Sequence, residues 1–324
     1  MNNIASCLAI ILILTSQIVS ANEQISTPIY KVSIKQGITH EDFSWSIDGI
    51  PPPKYERFTK VNILSELQWR NMEIHQTELN LEIVNKRILL ALNASHGLIS
   101  SGENQDSDYA DDNRQNEFQR SYSDINGETL KLNLALGYEL PLLSNKVTLT
   151  PKFGLLKHEQ KLGQRNGTTV ISDYDIDNNV SIASNIPITG LDSSYDTDWN
   201  TKWLGAKLQW HLTPNTEIGF DYQYHFDIDY SAKANWNLRT DFEHPVSFIH
   251  ESDKGKGHFL SLSSQYQFHP QWWLSLTYSY FRIEATDGID ITYFSNNTTG
   301  STGLNIAKTT SNTLMLGLTW TPGE

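Results

Sequence analysis

The sequence predicts an all-β fold: a ten-stranded antiparallel transmembrane β-barrel with long extracellular loops and short periplasmic turns. Three observations predict it. Apolar and polar residues alternate along segment after segment, which is the period of a strand. Short polar turns alternate strictly with long connections, as they do when one rim of a barrel is tight and the other elaborated. Beyond the N-terminus, no run approaches the ~18 consecutive apolar residues a membrane helix requires. The 324 residues are only 38% hydrophobic yet include 9 Trp and 14 Tyr. Low hydropathy with many aromatics is what a barrel produces, because only one face of each strand meets lipid and aromatics girdle both interfaces.

The chain opens on MNNIASCLAIILILTSQIVSA, an apolar stretch closed by small residues, which reads as a secretory signal peptide over residues 1–21. Residues 22–324 then form a single barrel domain, exported to the outer membrane of a Gram-negative-type bacterium. Cys7 is the only cysteine and would leave with the signal, so thiol chemistry, disulfides and zinc–thiolate sites are excluded.

Ten alternating segments follow. The first three, YKVSIKQGITHEDFSWSI, NILSELQWRNMEIHQTELNLEI and RILLALNASHGLIS, alternate weakly. TLKLNLALGYEL is the clearest, with Leu130, Leu132, Leu134, Leu136, Tyr138 and Leu140 on one face and Thr129, Lys131, Asn133, Ala135, Gly137 and Glu139 on the other. VTLTPKFGLLKH and KWLGAKLQWHL come next. In EIGFDYQYHFDIDY, Ile218, Phe220, Tyr222, Tyr224, Phe226, Ile228 and Tyr230 share a face. FLSLSSQYQF, WWLSLTYSYF and NTLMLGLTW complete the set. Short turns are read at Val84–Lys86, Leu143–Asn145, Thr213–Asn215 and His269–Gln271, and long loops near 48–60, 100–127, 163–199, 231–256 and 285–309. Trp203, Trp210, Trp272 and Trp273 read as interfacial or lipid-facing residues. An even strand count puts both ends on the short-turn side.

The formal charge is −13, which disfavours nucleic acid as a partner and favours cationic peptides or proteins beside outer-membrane lipid. The loop at 101–126 holds seven acids against Arg114 and Arg120, and the loop at 163–200 six against Arg165. Within GENQDSDY, residues 102–109, Asp106 and Asp108 stand one residue apart: a solvated loop, a looser ion site or a carboxylate pair for chemistry. An EF-hand is excluded, because Ala110 and Asp111 occupy positions where that loop needs an oxygen ligand and a glycine. HExxH, GxSxG and Gly-rich phosphate loops are missing. Carboxylate and histidine work on water is the catalytic chemistry that remains. No cofactor or metal is expected; lipopolysaccharide is the one accessory molecule to consider.

NILSELQW, a short turn, a strand and then GENQDSDY resemble the omptins, ten-stranded outer-membrane peptidases. QDSDYADDNR, SSYDTDW and ANWNLRTDFEHPVSF are similar, more closely in wording, to the Protochlamydia outer membrane protein family, which is related to omptins and includes proposed porins. The omptin resemblance implies that Asp106 and Asp108 face an Asp–His pair across a cleft, with a water between them attacking a peptide carbonyl. Omptins carry Asp-x-His there. This sequence has Asp241-Phe242-Glu243-His244, with one residue too many, and His225-Phe226-Asp227 in reversed order.

Two readings follow. The misspacing favours a non-enzymatic barrel, a narrow pore or surface-binding protein, in which Asp106, Asp108 and Arg114 order the long loop. The alternative is an omptin-like endopeptidase preferring basic substrates: Asp106 and Asp108 hold water, His244 is the base, and Asp241 or Glu243 orients it.

Overall fold

The computed structural model describes residues 28–55, 59–144 and 146–322; the expected signal peptide lies outside them. The strand segments are β1 (Ile29–Gly49), β2 (Val61–Asn85), β3 (Ile88–Asp111), β4 (Gln115–Tyr138), β5 (Leu140–Leu142) and β6 (Val147–Asp175). They continue as β7 (Val180–Thr213), β8 (Thr216–Asn235), β9 (Phe248–Ser252), β10 (Gly255–His269), β11 (Trp272–Tyr293) and β12 (Thr299–Trp320). All pairings are antiparallel, and β1 pairs with β12, closing the ring. The twelve segments make ten staves. β5 prolongs β4 along β6, and β9 with β10 forms one interrupted stave between β8 and β11. Closure satisfies the backbone groups that hydrocarbon would leave unpaired.

The lipid face follows the alternation. Leu132, Leu134, Leu136 and Tyr138 of β4 are exposed on the outside, while Thr129 and Ala135 are buried in the lumen. Trp210 and Trp320 are exposed near the short-turn rim, as an aromatic girdle requires. The opposite edge of the band is marked by an outward polar cluster. There, Glu128 bonds Lys161 Nζ at 2.7 Å and lies 3.3 Å from His96 Nε2.

Beyond that edge the long excursions are built chiefly as strand. Residues 100–111 belong to β3, 115–127 to β4, and 163–175 and 180–199 to the β6–β7 hairpin. Polar residues on both faces hide such strands from a periodicity search. The connections proper are short tips around 112–114, 176–179 and 294–298, and longer ones at 236–247 and between Gly49 and Val61.

Three irregularities invert the inward phase near this edge. Asn71 has φ 52° and separates inward Trp69 from inward Met72. Gly102, with φ 146°, lies in the register shift between Ile99 and Glu103 of β3. A Cβ at Gly102 would lie 2.3 Å from Ile125 Cδ1, so only glycine fits this bulge. Asp227, with φ 51°, shifts β8, so Ile228 and Tyr230 point into the lumen rather than sharing the lipid face of Phe220.

The lumen is filled in two layers, as the narrow bore of a small barrel demands. The extracellular half packs Phe43, Trp45, Trp69, Tyr195, Trp199, Tyr230 and Phe248 together, with Phe43–Trp69 centroids 5.3 Å apart and Trp199–Tyr230 4.3 Å apart. The periplasmic half carries ion pairs: Lys35–Glu78 at 2.9 Å, Lys207–Glu82 at 3.4 Å, and Lys152–Asp221. They line a cavity of about 250 Å³. Between the layers, buried Glu41 accepts from Gln160 Nε2 at 2.7 Å. Trp203 belongs to the lumen, not to the lipid face. It is fully buried, donates to Asn133 Oδ1 at 2.9 Å, and occupies space that a Cβ on Gly154 would invade at 2.3 Å.

Candidate functional site

The bulge at Gly102 turns Asn104, Asp106 and Asp108 inward, on the same face as Leu67 and Trp69 of β2. Asp106 is the cross-strand partner of Leu67, and Asp108 of Ser65. Two residues on one strand face have Cα atoms ~7 Å apart along β3, so both carboxylates rise from the same side. The strand passes the polar edge of the lipid band at His96, so the pair stands well outside the membrane, above the aromatic layer. Arg239, from the 236–247 connection, acts on both carboxylates, and Ser65 donates to Asp108.

Burial holds both carboxyls up. Asp106 lies well above the usual carboxylate range, from burial first and then the charge of Asp108, with Arg239 opposing. Asp108 is pushed up to about 6, from burial first, helped by Glu117 and opposed by Ser65 and Arg239. Two crowded carboxylates disfavour joint ionisation, so the pair retains a proton on mild acidification.

The structure brings together only part of the expected set. Asp106 and Asp108 are together, and Asp241 joins them indirectly. Its carboxylate takes a bidentate pair of bonds from Arg239, at 2.9 and 2.8 Å, which holds Asp241 below the usual range. Arg239 also covers the Phe242 ring at 4.1 Å. His244 is exposed, and its Nδ1 lies 2.8 Å from Asn235 Oδ1. No histidine is among the groups that act on the charge of the aspartate pair.

Arg114 leaves the pair as well. It forks onto Glu66 at 2.8 and 2.7 Å, on the other face of β2. There it helps fix the β3–β4 tip, where Asn62 N donates to Asp112 and Asn113 N to Asn62. The other histidine candidate separates too. His225 is buried in the lumen, hydrogen-bonded to Thr201 at 2.8 Å, whereas bulged Asp227 points out and pairs with Lys202.

Two groups escaped the sequence reading. Arg239 is one, and its Arg-x-Asp spacing to Asp241 was the available signal. The second is a buried network. Tyr195 Oη lies 2.7 Å from both Tyr230 Oη and His250 Nδ1, and His250 Nε2 lies 3.1 Å from Asp290 Oδ1. His250 is fully buried with its ring 4.8 Å from that of Trp45. Only the register of β9 on β11 sets His250 opposite Asp290.

A model of the Protochlamydia outer membrane protein family, Pom, matches residues 33–321. The chain belongs to this family. Pom membership and the closed sheet make it an outer-membrane β-barrel protein, located in the outer membrane. No curated protein matches the Pom chain. Among solved structures, the outer membrane protease OmpT from Escherichia coli aligns over 93% of this chain and 99% of its own, with TM-score 0.72 and 15% identity. At that identity the likeness shows a shared fold. The outer membrane protein OprG from Pseudomonas aeruginosa aligns over 91% of this chain and 96% of its own, with TM-score 0.34 and 10% identity, too low to support an argument.

Proposed function

We propose that this Pom barrel is a closed, non-hydrolytic surface protein whose rim carboxylates bind cationic groups of peptides or extracellular proteins. The observation that carries this reading is Arg239. A guanidinium already acts on Asp106 and Asp108 from the connection where the omptin resemblance implies a histidine. Arginine stays protonated at every physiological pH, so it cannot take a proton from water as a general base must. The same pair suits cation recognition, because partly desolvated carboxylates gain from a donor that replaces lost water. The packed aromatic layer beneath supports a binding surface over a conducting pore.

The test is a dibasic fluorescent peptide titrated against barrel refolded in detergent. Binding should be saturable and weaken with salt, and Asp106→Asn with Asp108→Asn should reduce affinity about tenfold, the loss of one charge-assisted contact. The peptide mass should stay unchanged. Wild-type cleavage that disappears in Asp106→Ala would establish the peptidase instead, and ion conductance through single barrels would establish the pore.

A further inference from the structure

Below the aromatic layer the lumen holds a chamber of about 250 Å³, separate from the rim carboxylates. It reaches the short-turn rim between Lys31, Glu82, Gln265 and Thr319, each close to its strand end. Its head is formed by Phe259 and Phe281, cross-strand partners on β10 and β11. On β12 the lining runs from Ser311 to Thr319, ~26 Å of strand. So small a volume over that length makes the chamber narrow, a shape for a chain-like guest.

The two walls differ. From β10, β11 and β12 the lining holds no charged residue, and short side chains such as Ser261, Ser263, Thr277 and Ser279 leave the space open. The opposite wall carries the lysines, and each deep one has its carboxylate. Lys35–Glu78 stand at 2.9 Å, Lys207–Glu82 at 3.4 Å and Lys131–Glu41 at 3.7 Å, with Lys152 paired to Asp221 Oδ2. Neutralised pairs ask for no further counter-ion, and a charged guest would enter without a partner for its own charge.

Three lining side chains keep polar atoms unsatisfied. Asp221 Oδ1, His225 Nε2 and Ser275 Oγ are buried and make no hydrogen bond among the described residues. His225 and Ser275 are only 1% and 3% exposed. A carboxylate oxygen accepts, a hydroxyl donates and accepts, and an imidazole nitrogen does one or the other by tautomer. By register Ser275 lies near the mouth, level with Gln265 and Glu217, while Asp221 stands midway and His225 at the head. The complement is therefore a molecule with donors and acceptors repeated along its length. Half-buried Phe259 adds a ring whose negative face attracts polarised C–H groups.

We infer that this chamber binds an uncharged, chain-like polyhydroxylated solute, of the linear oligosaccharide class, entering from the periplasmic mouth. Its hydroxyls donate to Asp221 Oδ1 and exchange hydrogen bonds with Ser275 and His225, while a C–H face rests on Phe259. Asp221 keeps its pair with Lys152 through the other oxygen.

The probe is maltotriose, followed by saturation-transfer NMR against full-length barrel refolded in a detergent without a sugar headgroup. Transfer should be saturable and persist in Asp106→Asn/Asp108→Asn, which separates the chamber from the rim site. Ser261 is level with Asp221, so Ser261→Phe should abolish binding by filling the chamber while the barrel keeps its heat-resistant gel mobility. Ser275→Ala breaks no ion pair and should weaken binding about fivefold, the loss of one hydrogen bond. Equal transfer in Ser261→Phe, unchanged affinity in Ser275→Ala, or no saturable transfer at all, with water alone filling the chamber, would overturn the inference. Tighter binding of glucose 6-phosphate would also overturn it, by assigning the chamber to anions.

Discussion

Asp106 and Asp108 stand at the rim of the barrel; His250 and Asp290 stand just inside it. The rim pair has carboxylates and access but no histidine acting on it, and Arg239 faces it instead. The inner group has a histidine 3.1 Å from a carboxylate, but Trp45, Tyr195 and Phe248 seal it from solvent. Water-activating chemistry needs a base and access at one place. Here the ingredients are split across two environments, an acidic rim beside one guanidinium and a dry aromatic interior. Residue content therefore says little about hydrolysis until the bulges that sort the residues are known.

The sharpest way to break this comparison is to dissolve the seal. Trp69→Ala removes a fully buried ring that touches Phe43 and Tyr195. It should cost about 3–5 kcal/mol in denaturant unfolding of the refolded barrel. An unchanged midpoint would mean the aromatic layer is not packed. Asp290→Ala should cost about 1 kcal/mol, because it removes the carboxylate 3.1 Å from a buried imidazole nitrogen that makes no hydrogen bond of good geometry. A neutral result would place the His250–Asp290 contact outside the stability of the fold.

At the rim the sign reverses with pH. Asp108 is raised from 3.8 to about 6, so the folded state binds more protons than the unfolded one between those values. Stability contributed by this group is present at low pH and falls as pH rises from about 4 to about 6. The rise corresponds to at most about 3 kcal/mol, reduced by water access at the rim to about 1. Asp108→Asn should therefore stabilise the barrel at pH 7.5 and make no difference at pH 3.5, in paired denaturant titrations. Stabilisation at both would remove burial as the cause. His244→Ala should be the mildest change, within about 0.5 kcal/mol and without effect on peptide binding, since His244 contacts Asn235 at an exposed position. A large loss of binding would restore it to the site.

Much of this was legible in the chain. Lipid imposes a strict period of two, so the staves, their outward leucines and the tight turns could be read directly. Above the membrane that constraint lapses, and residues 100–127 looked like loop although most of them are strand. Bulges were the harder problem. Nothing in the alternation of EIGFDYQYHFDIDY marks Asp227 as the point where Ile228 and Tyr230 turn inward. The Gly102 bulge likewise decides that Asp106 and Asp108 face in, yet a glycine alone does not announce a phase change. His250 and Asp290 meet through a cross-strand register some 40 residues apart in sequence, which periodicity cannot reveal.

The central claim is that the charge of Arg239, held by Asp241, already offsets the rim carboxylates and weakens their hold on other cations. Titrating the dibasic peptide against wild type and Arg239→Ala tests it directly. Removing the competing guanidinium should tighten binding about fivefold to tenfold, roughly 1 kcal/mol of released competition. The gain should vanish when Asp106→Asn and Asp108→Asn are added. Unchanged affinity in Arg239→Ala, or cleavage of the peptide by the wild-type barrel, would contradict the account.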